Sequence, residues 1–488
     1  MKSISIWEEN NPIKNEKKEE IKTDLDILII GAGITGLTTA YFLKDTNKKI
    51  AIIDKNTIGS GITAKTTAKV TYLQKDIYST LNKSFNKQVS KAYLNSQLEA
   101  ITLMKDIIEK ENIKCDLEKC DSYIFTHKKS NIKKIKKEKE ILEEFGIKVT
   151  LEDKLPLTNI PTLLSLKVNN TYTINPLMYL EGLRKSINKK IDIYENILAK
   201  NITYHNNKFY IETNKDVFMA KSVIISCWYP FFIKPGFIPI KTYIKREYVN
   251  VTRLENMDHF TAINIDSNLS SIRFYKDYII YGSNSHRLTE KIDYEKNYDK
   301  SIKEFKDIFH KEPTYTWMNQ DIMSNDNLPL IGRVNDNKNL LIATAYNAWG
   351  MTNSTIAGKI LSDLIMGKDN KYEYLFSPKE INKTSIINSL IGSFHYAKAY
   401  IQTFIDKNIG NNKQVKTIKI NGKYHGIYYD NENKKHIINL TCPHMKCNLV
   451  FNNYEKTWDC PCHGSRFDID GNIINGPSKE KIKKSVDI

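Results

Sequence analysis

The chain has 488 residues, of which 41% are hydrophobic, 26% charged and 10% aromatic. This balance excludes a disordered or fibrous protein and predicts about two to four domains, each with its own core. The formal charge is +17, from 73 Lys and Arg against 56 Asp and Glu. Lysine is abundant throughout and forms no isolated stripe, so we expect solvated helix faces and no nucleic-acid partner. An acidic electron-transfer partner protein is an alternative reason for the charge.

Membrane and export signals are missing from the sequence. No run of about 18 apolar residues occurs, so we expect no transmembrane segment. The first residues, MKSISIWEENNPIKNEKKEE, carry charges where a signal peptide requires an apolar run. We therefore expect a cytoplasmic protein.

After a polar arm (1–24), the sequence predicts a β-α-β unit. Residues 25–31 (LDILIIG) are a short apolar run that ends in Gly, which is typical of a buried parallel strand. A helical segment follows at 34–44, and a second apolar run at 50–53 ends at Asp54.

The middle of the chain changes pattern twice. Residues 83–146 are charged and helically periodic, and 221–226 (KSVIIS) is a further candidate for the first sheet. Between about 240 and 285 the residues alternate and are rich in aromatics, which predicts an antiparallel sheet with a hairpin near Lys276 and Asp277.

The last third contains a boundary. A strand at 339–344 leads into a helix that ends before Gly367. Residues 377–412 are typical of a connector, whose amphipathic stretch we expect to pack against the protein, with contact to a membrane surface as the alternative. From about residue 413 a new alternation, VKTIKINGKYHGIYYD, predicts a small β domain.

A glycine-rich fingerprint lies in the β-α-β unit. Gly31-Ala32-Gly33-Ile34-Thr35-Gly36 follows a strand and opens a helix, and Asp54 ends the next strand. In a dinucleotide site the three glycines allow a tight turn, a close approach to the pyrophosphate and close helix packing, while the acid accepts from ribose hydroxyls. The fingerprint alone does not separate FAD from NAD. The residues predicted to bind the dinucleotide here are Gly31, Gly33, Ile34, Thr35, Gly36, Asp54 and Lys55.

Three segments extend this prediction: GSGITAKTTAK at 59–69, WMNQDIMSNDNLPLIGR at 317–333 and NLLIATAYNAWGMTNSTIAG at 339–358. In this order they resemble the FAD-dependent amino-acid and amine oxidases of the glycine oxidase and sarcosine oxidase type, the DAO family. The resemblance covers most of the chain before residue 376 and implies FAD. It also implies that Thr63, Thr66, Thr67 and Ala68 lie along the cofactor, and that Gly350, Met351 and Thr352 present a helix N-terminus to the flavin ring.

The sequence departs from this family around the turn before that helix. Tyr346, Ala348 and Trp349 stand where family members often have other residues, so substrate shape is not carried over. A second dinucleotide-binding unit is also missing, which counts against a pyridine-nucleotide disulfide reductase.

Four of the seven cysteines lie in the last 47 residues. Cys442-Pro443-His444 and Cys460-Pro461-Cys462-His463 form a C-x-H and a C-x-x-H pair, a donor set that suits structural zinc or a Rieske cluster. The fuller segments CPHMKC and CPCHGSRF resemble the two boxes of Rieske domains, including the subset with an extra cysteine in each box. This resemblance implies that Cys442 and Cys460 bind one iron, that His444 and His463 bind the other, and that Cys447 pairs with Cys462 in a disulfide.

Two nearby residues bear on the potential of such a cluster. Ser465 stands where Rieske domains have a hydrogen-bond donor to sulfur, which would raise the potential. Phe467 replaces a tyrosine that high-potential members use. We therefore expect a potential below that of respiratory-complex Rieske centres.

The predicted fold is an α/β FAD-binding Rossmann-like domain with an antiparallel-sheet substrate domain, followed by an all-β Rieske domain. We assign the ranges as follows: arm, 1–24; FAD-dependent oxidoreductase domain, 25–376, with its FAD-binding part at about 25–82, 147–230 and 320–376 and its substrate part at about 83–146 and 231–319; linker, 377–412; Rieske domain, 413–488.

The leading hypothesis is a FAD and [2Fe-2S] oxidoreductase that acts on an amine or amino-acid-like substrate and passes electrons between its two cofactors. The polar groups of the antiparallel sheet best suited to anchor a substrate carboxylate are Arg246, Tyr248, Arg273 and His286. One alternative is an electron-transfer protein between protein partners with no small substrate. A Rieske-type monooxygenase is disfavoured, since no 2-His-1-carboxylate iron site is apparent.

Overall fold

The structure, a computed structural model, describes residues 1–11, 13, 20–157, 159–232, 236–266, 270–290, 293–335, 339–379, 383–405 and 414–482. Parts of the predicted arm and linker, including 406–412, and the first residue and the last six residues of the predicted Rieske domain lie outside this description. The helices are α1 Ile6–Asn10, α2 Ile34–Leu43, α3 Ile77–Ser84, α4 Lys87–Lys110, α5 Ile132–Glu144, α6 Pro176–Ile187, α7 Tyr294–Phe309, α8 Gly350–Ile365, α9 Glu373–Phe376 and α10 Lys383–Ile405.

Most strands precede α8. They are β1 Asp24–Ile30, β2 Ile50–Ile53, β3 Lys69–Val70, β4 Glu118–Thr126, β5 Thr150–Glu152, β6 Leu164–Thr173, β7 Asp192–Tyr194, β8 Ala199–His205, β9 Lys208–Thr213, β10 Val217–Ile225, β11 Thr242–Arg253, β12 Phe260–Asn264, β13 Ser271–Tyr275, β14 Tyr278–Arg287, β15 Tyr315–Ser324, β16 Leu330–Arg333 and β17 Leu340–Thr344. After α10 follow β18 Val415–Ile420, β19 Lys423–Tyr429, β20 Lys435–Asn439, β21 Val450–Asn452, β22 Thr457–Asp459, β23 Arg466–Phe467 and β24 Ile473–Asn475.

The first sheet has the order β16-β17-β10-β1-β2-β7, with β9 and β8 added beside β10. Strands β17, β10, β1, β2 and β7 are parallel to one another, and β16 pairs with β17 in antiparallel orientation. β2 is buried along its whole length, as expected for a parallel strand that is covered on both faces. The predicted β-α-β unit and the predicted strands at 221–226 and 339–344 are confirmed, and α8 follows the last of them.

The second sheet has the order β15-β11-β14-β13-β12-β4-β6-β3, with β5 beside β6. The predicted hairpin is confirmed, because β13 and β14 pair in antiparallel register on either side of Lys276 and Asp277. Two expectations differ from the structure. β4 interrupts the segment that we expected to be helical, and β5 and β6 join this second sheet although we assigned 147–230 to the FAD-binding part. β4 pairs with β6 and with β12, which lie far away in sequence, and local periodicity does not report such pairing.

The C-terminal part contains two small antiparallel sheets, β18-β19-β20 and β21-β22-β23-β24. Its core includes Leu449, Trp458 and Phe467, all fully buried. Gly426 is required where β19 meets this core, since a Cβ there would lie 2.2 Å from the Trp458 ring. The predicted small β domain is confirmed.

Helix α10 joins the two parts and contacts both. Asn388 donates to the carbonyl of Asn325 at 2.6 Å, and the Thr403 carbonyl accepts from Asn448 at 2.9 Å. Ala399 is fully buried, whereas Phe394 is 70% exposed, so one face packs against the protein as expected and another faces outward. In the described part of the chain, no helix combines the length and the apolar character that crossing a bilayer requires.

Candidate flavin and iron–sulfur sites

The turn between β1 and α2 has no space for larger residues. Gly31 has φ +117°, and a Cβ there would lie 2.8 Å from the carbonyl oxygen of Ser226. A Cβ on Gly36 would lie 1.9 Å from the carbonyl oxygen of Gly31. These contacts bring the N-terminus of α2 directly above the end of β1, where its unpaired N–H groups attract a pyrophosphate.

Asp54 lies at the carboxyl end of β2, beside this turn. Its carboxylate accepts from the backbone N–H of Ala32 at 2.7 Å and of Asn56 at 2.9 Å. Burial raises the pKa of Asp54, and it lowers the pKa of the adjacent Lys55. The acid is therefore fixed in the position where a dinucleotide ribose is bound in such folds.

A cavity of about 320 Å³ runs from this turn to the second sheet. The predicted cofactor-binding residues on its wall are Gly31, Gly33, Ile34, Thr35, Asp54, Lys55, Thr63, Thr66, Thr67, Gly350 and Met351. Gly36, Ala68 and Thr352 do not line it. Gly36 packs against β1, Ala68 is buried in a left-handed conformation with φ 52°, and Thr352 accepts from Gln74 at 3.2 Å.

The N-terminus of α8 opens onto this cavity. Ala345, Asn347 and Ala348 all have positive φ, so the chain turns sharply between β17 and the helix. Trp349, at the N-cap, provides no side-chain cap, and Gly350 lies on the cavity wall. The free N–H groups and the helix dipole fit a negative charge on reduced flavin.

Two tryptophans and an arginine hold the loop that borders the cavity. Trp7 donates to the carbonyl of Thr66 at 2.8 Å, and Trp317 donates to the carbonyl of Lys65 at 2.9 Å. Arg273 donates to the carbonyl of Thr67 at 2.5 Å and lies 4.9 Å from the Trp7 ring. The arginine that we expected to anchor substrate is thus bound to the loop beside the cofactor and does not line the cavity.

The other three predicted substrate residues lie on one face of the second sheet, turned toward the C-terminal domain. Tyr248 and His286 stack with ring centroids 5.8 Å apart, and neither lines the cavity. Arg246 reaches the cavity wall, and its guanidinium forms an ion pair with Asp459 at 3.2 Å, with both side chains fully buried. The structure therefore does not bring the four residues together, and their role in substrate binding stays a prediction.

The opposite face of β11 and β15 supplies titratable groups to the cavity. Lys245 pairs in register with Asp321, and Glu247 with Asn319. Burial raises the pKa of Asp321 to about 7, with Glu247 acting in the same direction. Burial also raises the pKa of Glu247 against the attraction of nearby lysines.

Lys69 adds a cation to this group. It donates to Thr67 at 3.2 Å and to Ser271, and burial lowers the pKa of Lys69 to about 8. Strong pKa shifts that cluster in one cavity are typical of reactive sites. Sequence reasoning missed Glu247 and Asp321. The alternation of β11 was the available signal, because it separates 245 and 247 from 246 and 248.

The four predicted cluster ligands converge at the tip of the C-terminal domain. The rings of His444 and His463 lie 5.0 Å apart, and in the described part of the chain their buried Nδ1 atoms have no hydrogen-bond partner. Burial lowers the pKa of His444 to about 4 and that of His463 to about 3, which keeps both rings neutral, as metal ligands require. Cys442 and Cys460 are free thiols beside them. This donor set fits a Rieske cluster.

The two remaining cysteines of the boxes are joined. Cys447 and Cys462 form a disulfide of 2.03 Å that links the two loops, as the resemblance implied. Among the described residues, Cys447, Cys460 and Cys462 form the group close enough to suggest a metal, and no group of two histidines and a carboxylate was found. Because Cys447 and Cys462 are bonded to each other, they are not ligands.

A buried polar network docks the C-terminal domain on β11, β15 and α7. Asp459 also accepts from Arg466 at 3.1 Å, and Arg466 pairs with Glu455. Glu455 in turn accepts from the backbone N–H of Met318 and from the Tyr298 hydroxyl, each at 2.8 Å. Buried charges are tolerated only when paired in this way.

One contact connects the cavity to the cluster loop. Gln320 lines the cavity, accepts from Arg246 and donates to the carbonyl of Gly464 at 3.2 Å. Gly464 directly follows the ligand His463, whose ring stacks on Tyr396 of α10 at 4.8 Å. The cavity wall and the cluster loop are therefore in direct contact.

Comparison with known families decides the assignment of this architecture. The profile of the FAD dependent oxidoreductase family, DAO, matches residues 26–364, which is well over half of the chain. The chain belongs to this family. The Rieske [2Fe-2S] domain profile matches residues 404–485, so the DAO enzyme carries a Rieske domain at its C-terminus. Its cofactors are FAD and a [2Fe-2S] cluster, and it is a FAD-dependent oxidoreductase.

Similar proteins share all or part of this organisation. A Bacillus subtilis (strain 168) protein described as a putative Rieske 2Fe-2S iron-sulfur protein, YhfW, is 29% identical over 98% of this chain and 97% of its own. Glycine oxidase from Geobacillus kaustophilus matches 74% of this chain and 100% of its own, with a TM-score of 0.62 and 14% identity. The L-amino acid deaminase from Proteus vulgaris matches 75% and 100%, with a TM-score of 0.62 and 13% identity. The two solved structures show the fold of the oxidoreductase domain.

Proposed function

We propose that this protein oxidises a small amine or amino-acid-like substrate by hydride transfer to FAD and exchanges the electrons with its Rieske cluster. The observation that carries the proposal is a cavity whose wall is shared by three parts of the molecule. They are the fingerprint turn, the titratable face of β11 and β15, and the Rieske domain. When bound, FAD supplies a two-electron acceptor and the cluster a one-electron one.

The residues of the chain provide what an amine substrate needs. An ammonium group must lose a proton before its carbon can donate hydride, and Asp321, with a pKa of about 7, is an acceptor matched to neutral pH. Lys69 and Lys245 offer positive charge to a carboxylate on the same substrate. Glu247 keeps these lysines in place by charge attraction.

The contact between Gln320 and Gly464 supports electron exchange. Electrons pass over short distances through bonded atoms. Here the Gln320 side chain, on the cavity wall, is hydrogen-bonded to Gly464, the residue after His463. For the external acceptor we propose an acidic protein, which the charge of +17 and the exposed Lys446 beside the cluster favour. We further propose a cytoplasmic location, consistent with the free thiols of Cys115, Cys120 and Cys227.

A cavity lined by both the fingerprint turn and titratable side chains favours an enzyme over a shuttle between protein partners. The test is anaerobic incubation of the full-length protein with a panel of amines and amino acids, monitored by flavin absorbance and by the low-temperature EPR signal of the reduced cluster. Flavin bleaching followed by cluster reduction is the expected result. Cluster reduction by a protein donor, with no bleaching by any small molecule, would contradict the proposal.

A further inference from the structure

A loop of the Rieske domain lies against the dinucleotide end of the cavity. Residues 474–479 line the same cavity as Gly31, Gly33 and Asp54. Asn56, two residues after Asp54, donates from its side chain to the carbonyl of Ile474 at 3.0 Å. The loop is thus next to the end of β2, where the ribose of the adenosine half is bound in this fold.

The middle of the loop packs against Ser465 of its own domain. Gly476 has φ +102°, and a Cβ there would lie 2.3 Å from Cα of Ser465. The backbone N–H of Ser478 donates to the hydroxyl of Ser465 at 3.2 Å. The loop therefore cannot move away from the cavity without the rest of the Rieske domain.

Lys479 adds a cation to the wall of the cavity. Its ammonium lies 6.0 Å from the Phe231 ring, and in the described part of the chain no carboxylate pairs with it. Burial lowers the pKa of Lys479, as expected for a cation that is partly withdrawn from water without a counter-charge. A diphosphate is an anion that would provide this counter-charge.

We propose that the 474–479 loop forms the outer wall of the FAD site over its adenosine diphosphate half, and that Lys479 supplies positive charge to the diphosphate. The FAD site is then built from both domains. Since binding and docking are reciprocally linked, bound FAD stabilises the docked Rieske domain and the docked domain retains FAD. The inference rests on FAD being the cofactor and does not depend on the substrate.

The test is the dissociation constant of FAD for the full-length apoprotein, measured by quenching of flavin fluorescence. We expect Lys479→Glu to weaken FAD at least about tenfold and Lys479→Ala to weaken it less, because reversal adds repulsion to the loss of attraction. Lys481→Glu is the matched control, since it makes the same charge change on the same domain at an exposed position outside the cavity. It should change the constant less than about twofold.

ADP identifies the half of the cofactor that is involved. We expect Lys479→Glu to weaken ADP by a similar factor, because ADP carries the adenosine diphosphate alone. Cluster absorbance verifies the Rieske domain in each variant, and Lys479→Ala replaces Lys479→Glu if the latter lacks its cluster. Equal FAD affinities in the Lys479 and Lys481 variants would overturn the inference, as would a loss for FAD without one for ADP. Neither result bears on which substrate is oxidised, so this inference and the proposed function fail separately.

Discussion

The two faces of β11 and β15 carry polar residues with opposite surroundings. On the face toward the Rieske domain, Arg246 and Gln320 are bound to each other, and each also has a partner on that domain. On the cavity face, Asp321 and Glu247 have raised pKa values. Ion-paired groups hold the two domains together, whereas carboxyl groups whose charged form is disfavoured by burial are available to a ligand. The difference explains why polarity alone pointed to Arg246 and Tyr248 as substrate residues.

The largest effect should come from removing the ion pair between Arg246 and Asp459, on the face toward the Rieske domain. Arg246→Ala leaves Asp459 buried with one partner fewer, and we expect it to cost about 3–5 kcal/mol of unfolding free energy. Urea denaturation of the full-length protein measures this cost. Arg253→Ala is the control, since Arg253 forms an exposed ion pair with Asp277 that we expect to contribute about 0–1 kcal/mol. Equal losses of unfolding free energy in the two variants would contradict a stabilising role for the buried ion pair between the domains.

The cavity face should instead control pH dependence. Asp321 accepts a proton only when ionised, so kcat/KM should fall about tenfold per pH unit below its pKa of about 7. In Asp321→Asn this acid limb should disappear and the plateau should drop, as steady-state assays from pH 5 to 9 would show. Glu247→Gln is the comparison variant. An unchanged acid limb in Asp321→Asn would assign the proton acceptor to another group.

Gln320 lies on the face toward the Rieske domain and also lines the cavity. We expect a smaller, kinetic effect from its substitution. Gln320→Met removes the hydrogen bond to Gly464, whose net contribution is about 1 kcal/mol. An activation barrier for electron transfer that is higher by this amount corresponds to about fivefold slower cluster reduction. Anaerobic stopped-flow mixing separates this step from flavin bleaching, whose rate should stay the same. If both rates fell together, Gln320 would act on the cavity and not on the contact between the domains.

The smallest effect concerns the cluster alone. Phe467 is fully buried in β23, next to the cluster loop, and cannot donate a hydrogen bond. Phe467→Tyr introduces a donor and should raise the reduction potential by tens of millivolts, since a donor to sulfur stabilises the reduced cluster. Redox titration followed by EPR measures the shift. No rise would mean that the hydroxyl does not reach the cluster.

Much of the site was predictable because its residues are close together in sequence. The turn from Gly31 to Gly36 and the segments around Cys442 and Cys460 are each short, so their spacing predicts a dinucleotide-binding turn and a cluster of metal donors. The resemblance to known families implied which cofactors they bind. The N-terminal arm shows where local reasoning ended. Trp7 lies in the stretch that we described only as a polar arm, yet its ring packs against Arg273 and its indole N–H donates to the loop at Thr66.

The sequence by itself determined a dinucleotide-binding turn, a four-donor metal site and the order of the domains, because each of the two sites is encoded in short segments. The resemblance of those segments to known families implied that the cofactors are FAD and a [2Fe-2S] cluster. Tertiary structure decided which side chains meet. Whether Arg246 or Glu247 shares a sheet face with Asp321 depends on strand register, and Asp459 reaches Arg246 across more than two hundred residues of chain. Such pairings follow from the burial of whole surfaces, which no local pattern records.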